Sequence, residues 1–106
     1  MSETNSSDFN VSVTFRHTEP TDALKSYAIE KVKHCAAKYI HGHADLSVVL
    51  SVEKRDHMVE VRLKSKDFDI TSKSTTEDLY SAIDKVVDTI EAQIRKQKGR
   101  MQTQKH

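Results

Sequence analysis

The sequence predicts a single α+β domain ordered β-α-β-β-β-α, with a four-stranded sheet and both helices packed on one face. Three observations predict it. Two stretches repeat apolar residues at steps of three and four, the period of a helix. Four stretches alternate apolar and polar residues, the period of a strand. The last three of those are joined by short connections, which favours an antiparallel meander. A chain of 106 residues has the length of one domain.

Residues 1–8 read as a flexible polar tail. The first strand is Phe9 to Phe15, with Phe9, Val11, Val13 and Phe15 on one face and Asn10, Ser12 and Thr14 on the other. Arg16 to Pro20 connect it to a helix. Thr21 is a suitable N-cap, because its hydroxyl can accept from a free N–H, and Asp22 suits the positive end of the dipole. The helix should run to about Tyr39. Leu24, Ala28, Val32, Cys35 and Tyr39 make its inner stripe, and Tyr27 and Lys31 lie along one edge of it.

His41-Gly42-His43 breaks the helical pattern. A second strand follows, with Leu46, Val48, Leu50 and Val52 inward. Lys54-Arg55-Asp56 is a turn. A third strand carries Val59, Val61 and Leu63 inward, and after a turn at Ser65 to Asp67 a fourth carries Phe68, Ile70 and Ser72.

The strongest helix signal is Thr75 to Lys98, where Leu79, Ile83, Val86, Val87, Ile90 and Ile94 share one side. Ser74 with Glu77, and Thr75 with Asp78, have capping-box spacing. Gly99 reads as the stop. The expected division is a tail over 1–8, a domain over 9–98 and a short basic tail over 99–106.

Net charge is only +1, but it is unevenly placed. Residues 1–92 hold 12 Lys/Arg against 16 Asp/Glu, a net −4. Residues 93–106 hold Arg95, Lys96, Lys98, Arg100 and Lys105 and no acid, a net +5. Such an end either complements the helix dipole or meets phosphate. The single cysteine, Cys35, cannot form an internal disulfide and reads as a small buried hydrophobe in a reducing compartment. No apolar run reaches the ~18 residues of a membrane span, and the N-terminus lacks a signal-peptide pattern. A cytoplasmic protein without a membrane partner is expected.

The chemistry of catalysis is not visible. Two glycines cannot make a phosphate-cradling loop. His34, Cys35, His41 and His43 are close in sequence, but His34 and Cys35 diverge by about 100° on a helix and no metal-ligand spacing accompanies them. No local motif groups a nucleophile, base and orienter. No enzyme, cofactor or metal is expected. Tyr27 and Tyr80 could stack on bases, but at the margins of helix stripes they read as partial core.

Three segments together resemble the ribosome hibernation promoting factor family, also called ribosome-associated inhibitors and, in older descriptions, sigma-54 modulation proteins. They are PTDALKSYAIEKV at 20–32, LSVEKRDHMVEVRL at 50–63 and EDLYSAIDKVVDTIEAQIRKQK at 77–98. The resemblance implies a fold similar to the double-stranded-RNA-binding fold. It implies a partner in the small ribosomal subunit, with its 16S rRNA and nearby ribosomal proteins, in the channel that holds tRNA and mRNA. It implies inhibition of translation under stress or in stationary phase.

Carried over by position, the rRNA-binding residues would be Lys25 and Lys31 on the first helix, and Arg95, Lys96, Lys98 and Arg100 at the end of the second. Arg16 and His17 after the first strand, and Lys54 and Arg55 in the turn, complete the set. Phe15, Pro20 and Thr89 depart from the family pattern. The chain looks like a short member, and its short basic tail leans toward members that act with a separate ribosome modulation factor to form ribosome dimers. The alternative is a double-stranded-RNA-binding module or transcription-linked regulator acting off the ribosome.

Overall fold

The computed structural model describes the backbone of residues 7–104 and the side chains of residues 8–99. Its elements are β1 (Ser7–Arg16), α1 (Asp22–Ala37), β2 (Gly42–Glu53), β3 (Asp56–Ser65), β4 (Asp69–Thr76) and α2 (Leu79–Gln104). The order is the expected one, and the four strands form one sheet in the order β1-β2-β3-β4.

β2, β3 and β4 pair antiparallel, as short connections require. β1 pairs parallel to β2, from Ser7 opposite Gly42 to Arg16 opposite Ser51. Local alternation carries no information about that pairing. It follows from α1, which carries the chain back across the sheet as a crossover must.

The register aligns the apolar residues of all four strands on one face. Ala44, Leu46, Val48 and Leu50 of β2 meet Val59, Val61 and Leu63 of β3, with Ile70, Ser72 and Ser74 of β4 beyond. Onto this face pack Ala28, Val32, Cys35 and Ala36 of α1, and Leu79, Ala82, Ile83, Val86, Val87, Ile90 and Ile94 of α2. Leu50, Val59, Val61 and Ile83 are wholly buried. Truncating a residue such as Ile83 to alanine removes about 2–5 kcal/mol, because the cavity cannot fully close.

Cross-helix contacts rise together in sequence. Tyr27 meets Tyr80 and Asp84, Cys35 meets Val87, and Tyr39 meets Glu91. The two helices therefore run in the same direction, and both end at the same end of the molecule.

Two helix-end expectations are overturned. Neither expected capping box starts α2. β4 runs on to Thr76, because Thr75 and Thr76 are held in the ladder opposite Met58 and His57. Ser74 is buried and its hydroxyl donates to the Ala82 carbonyl at 2.6 Å, which ties β4 to the first turn of α2. Asp78 caps the helix instead. Its carboxylate accepts from the Ser81 backbone N–H and the Ser81 hydroxyl, both at 2.8 Å. Those bonds hold the Asp78 carboxyl below its ordinary value. Gly99 does not stop α2, which passes through it to Gln104. A Cβ there would meet nothing within 4 Å, so the position needs no glycine for space.

Thr21 caps α1 as expected, accepting from the Leu24 N–H at 3.1 Å.

Candidate nucleic-acid interface

The sequence-predicted cations separate into two groups and one isolated residue. The first group lies where β1 and β2 end and the helices begin. Arg16 is exposed at the end of β1, on the sheet face away from the helices. His17 follows with a positive φ of 59°, and its Nε2 is 4.0 Å from Glu53. Lys54 and Arg55 are the two-residue turn between the paired Glu53 and Asp56. Lys54 has φ 57°, a conformation in which a side chain is disfavoured and glycine is not. Lys25 is exposed on the first turn of α1. These residues share an end without sharing one face, and Glu53, Asp56 and Glu77 stand among them. Lys54, Arg55, His57 and Glu77 line a shallow cleft of ≈ 710 Å³ there.

The second group is at the other end. Arg95, Lys96 and Lys98 are exposed near the C-terminal end of α2. Lys98 Nζ sits 5.9 Å from the centre of the Tyr39 ring. Among the described residues Arg95 and Lys96 make no ion pair. Arg100 belongs to the α2 backbone, but its side chain lies outside the described residues.

Lys31 joins neither group. From the edge of the α1 stripe it meets a carboxylate of α2 and none of the α2 cations. Its Nζ is 3.5 Å from Asp84 Oδ1 and 5.7 Å from the centre of the Tyr27 ring. Eleven residues separate Asp84 from Arg95, roughly 16 Å along the helix. The pair is about half exposed on both sides, so it contributes at most about 1 kcal/mol. A phosphate could displace so weak a partner.

Sequence reasoning missed the seam that positions these groups. Tyr27 donates to Asp84 at 2.6 Å, and Tyr39 donates to Glu91 at 2.6 Å. Lys38 lies 3.4 Å from Glu91. The bond from Tyr39, with help from Lys38, holds the Glu91 carboxyl below its ordinary 4.5. The same kind of bond raises both tyrosines above 10.0. Tyr27 packs edge-on to Tyr80 with ring centres 5.0 Å apart, so it braces the helices. A signal was present. Lys31 and Lys38 are seven residues apart, as are Asp84 and Glu91, and a seven-residue step keeps residues on one helix side. Lys38 thereby stands with Arg95, Lys96 and Lys98 as a fourth cation at the helix ends.

Among the described residues no three His, Cys, Asp or Glu side chains converge as a metal site. None of the described helices is long and apolar enough to cross a membrane.

Residues 11–102 match the family described as sigma 54 modulation protein / S30EA ribosomal protein. The chain belongs to that family. A Pseudomonas putida relative named ribosome hibernation promoting factor is 29% identical over 97 residues, covering 88% of this chain and 90% of that protein. A Lactococcus lactis relative named ribosome hibernation promotion factor is 36% identical over 88 residues, covering 80% of this chain and 47% of that protein. The solved N-terminal domain of Thermus thermophilus Protein Y superposes with a TM-score of 0.75 at 28% identity, covering 82% of this chain and 97% of that domain. The S30EA family match thus runs from Val11 within β1 to Gln102 within α2 and includes all the described lysines and arginines.

Proposed function

We propose that this chain is a non-enzymatic, cytoplasmic ribosome hibernation factor. It binds the small ribosomal subunit in the tRNA/mRNA channel and inhibits translation under stress or in stationary phase. The observation that carries this reading is the extent of the likeness. Nine-tenths of the Pseudomonas putida ribosome hibernation promoting factor is covered by this chain. Arg95, Lys96 and Lys98 are the principal contacts to 16S rRNA phosphate, joined by Arg100. Arg16, His17, Lys25, Lys31, Lys54 and Arg55 add secondary contacts. Joint action with a separate ribosome modulation factor to form ribosome dimers belongs to the same reading, supported by the acid-free sequence after Ala92.

The test is sedimentation of lysate from starved cells, probed for this protein across the gradient. The reading expects it with small subunits, whole ribosomes or ribosome dimers. Absence from every ribosomal fraction, with capture by free duplex RNA, would replace it by an RNA-binding module acting off the ribosome.

A further inference from the structure

The free edge of β1 is complementary to itself. The strand reads Ser-Asp-Phe-Asn-Val-Ser-Val-Thr-Phe-Arg from Ser7 to Arg16. Laid antiparallel on a second copy about Ser12, it pairs Val11 with Val13 and Phe9 with Phe15 on the helix-covered face. On the other face it pairs Asn10 with Thr14 and Asp8 with Arg16. Every pair joins like with like or acid with base. Moving the axis by one residue along the strand, to Val11 or Val13, sets Asp8 against Thr14 or Arg16 against Asn10 and loses the charge match.

The edge is open to such a partner. β1 pairs only with β2 among the described strands. Its inward residues Phe9, Val11, Val13 and Phe15 are only partly buried, unlike their neighbours on β2. Asp8 has a side chain 89% exposed. Between Asp8 and Arg16 the edge carries none of the usual deterrents to pairing: no proline, no lysine and no inward charge. The opposite edge differs. β4 is shorter, carries Lys73, and its inward Ser72 and Ser74 are already buried.

We propose that two copies of this chain associate through β1, edge to edge about a two-fold axis at Ser12, making one eight-stranded sheet with all helices on one side. An interface of this kind is isologous, as closed dimers are. Because the axis passes through the Ser12 pair, the same side chains meet whichever set of residues turns its N–H and C=O outward. The interface uses one strand per copy and belongs to the small, weak class. It needs no ribosome, so its failure leaves the ribosome reading standing.

Sedimentation equilibrium up to roughly 1 mM protein, a range suited to weak association, tests it. The wild type should show a monomer–dimer equilibrium. Asp8→Arg and Arg16→Asp should each weaken the dimer by roughly tenfold or more, since both symmetric pairs become repulsive. The double variant Asp8→Arg/Arg16→Asp should restore it. Ser12→Cys should cross-link under mild oxidation, because residues opposed across an antiparallel pair are ~4.5–5.5 Å apart at Cα. Asn10→Cys should not, since Asn10 faces Thr14. Cys35 is buried and does not compete. A monomer throughout, a dimer indifferent to charge reversal, or cross-linking at position 10 in place of 12 would each overturn the proposal.

Discussion

At the turn end of the molecule, Lys54 and Arg55 sit between Glu53 and Asp56, and His17 lies 4.0 Å from Glu53. At the helix end, Arg95, Lys96 and Lys98 follow Glu91 with no later acid. Helix dipoles narrow the contrast without removing it. α1 ends beside Glu91 and presents roughly half a negative charge there, while α2 runs on to Gln104. Lys38, Arg95, Lys96 and Lys98 exceed that charge even after Glu91 is counted. At the turn end the two positive helix starts are met by Asp22, Glu77 and Asp78, and the acids of the hairpin offset its bases. Cations in similar numbers leave a surplus at one end and near balance at the other.

The largest effect expected from this difference is on ribosome affinity. Arg95→Ala/Lys96→Ala/Lys98→Ala should weaken binding to purified small subunits at least about tenfold and lower the salt dependence by roughly one unit of slope per lost phosphate contact. Unchanged affinity and slope would reduce these residues to solvated charges on the surface of α2. Lys54→Ala/Arg55→Ala, measured in the same way, should cost only about two- to threefold, because Glu53 and Asp56 already offset most of their charge toward a phosphate. A loss equal to the triple variant's would erase the contrast between the ends.

The seam gives the next prediction. The Glu91 carboxyl titrates lower in the folded chain than its ordinary 4.5. Its bonds therefore stabilise the fold above that value and are lost as pH falls through the folded value. Glu91→Gln should lower Tm by a few degrees at pH 7 and show a shallower further decline between pH 5 and 3. A parallel decline in both proteins would place the acid sensitivity elsewhere.

Lys31→Ala should leave Tm within about two degrees, since an exposed pair contributes little, while reducing inhibition in a cell-free translation assay less than the triple variant does. Normal inhibition would remove Lys31 from the interface. The smallest effect is Lys54→Gly. It relieves the positive φ and should stabilise by at most about 1 kcal/mol in a urea titration, with a slight loss of affinity. Destabilisation would mean that the lysine stem packs usefully in the turn.

Most of the fold was legible because it is written locally. Four alternating stretches, two stripes and the Thr21 cap all appear where the sequence places them. The start of α2 was not legible. Ser74 and Thr75 have the chemistry of a cap, yet strand pairing to β3 claims them, and pairing acts between residues distant in sequence. The parallel join of β1 to β2 was hidden for the same reason. Of the candidate site, the charge of the helix end was readable as composition. The division into two ends, the Asp84 partner of Lys31 and the membership of Lys38 depend on how the helices lie together.

Cys35 turns that helix packing into something measurable. Its thiol lies under α2, with Sγ 3.9 Å from the Val87 carbonyl, and burial pushes its pKa up to about 11. At pH 7 roughly one molecule in ten thousand carries a thiolate. Buried and protonated, the sulfur does not attack a disulfide reagent in solution while α1 and α2 stay together. Modification proceeds through the brief intervals when they part, and its rate counts those intervals. The natural sequence thus contains its own clock for the seam. A ligand that spans Lys38 and Lys98 would slow the clock without ever approaching the sulfur.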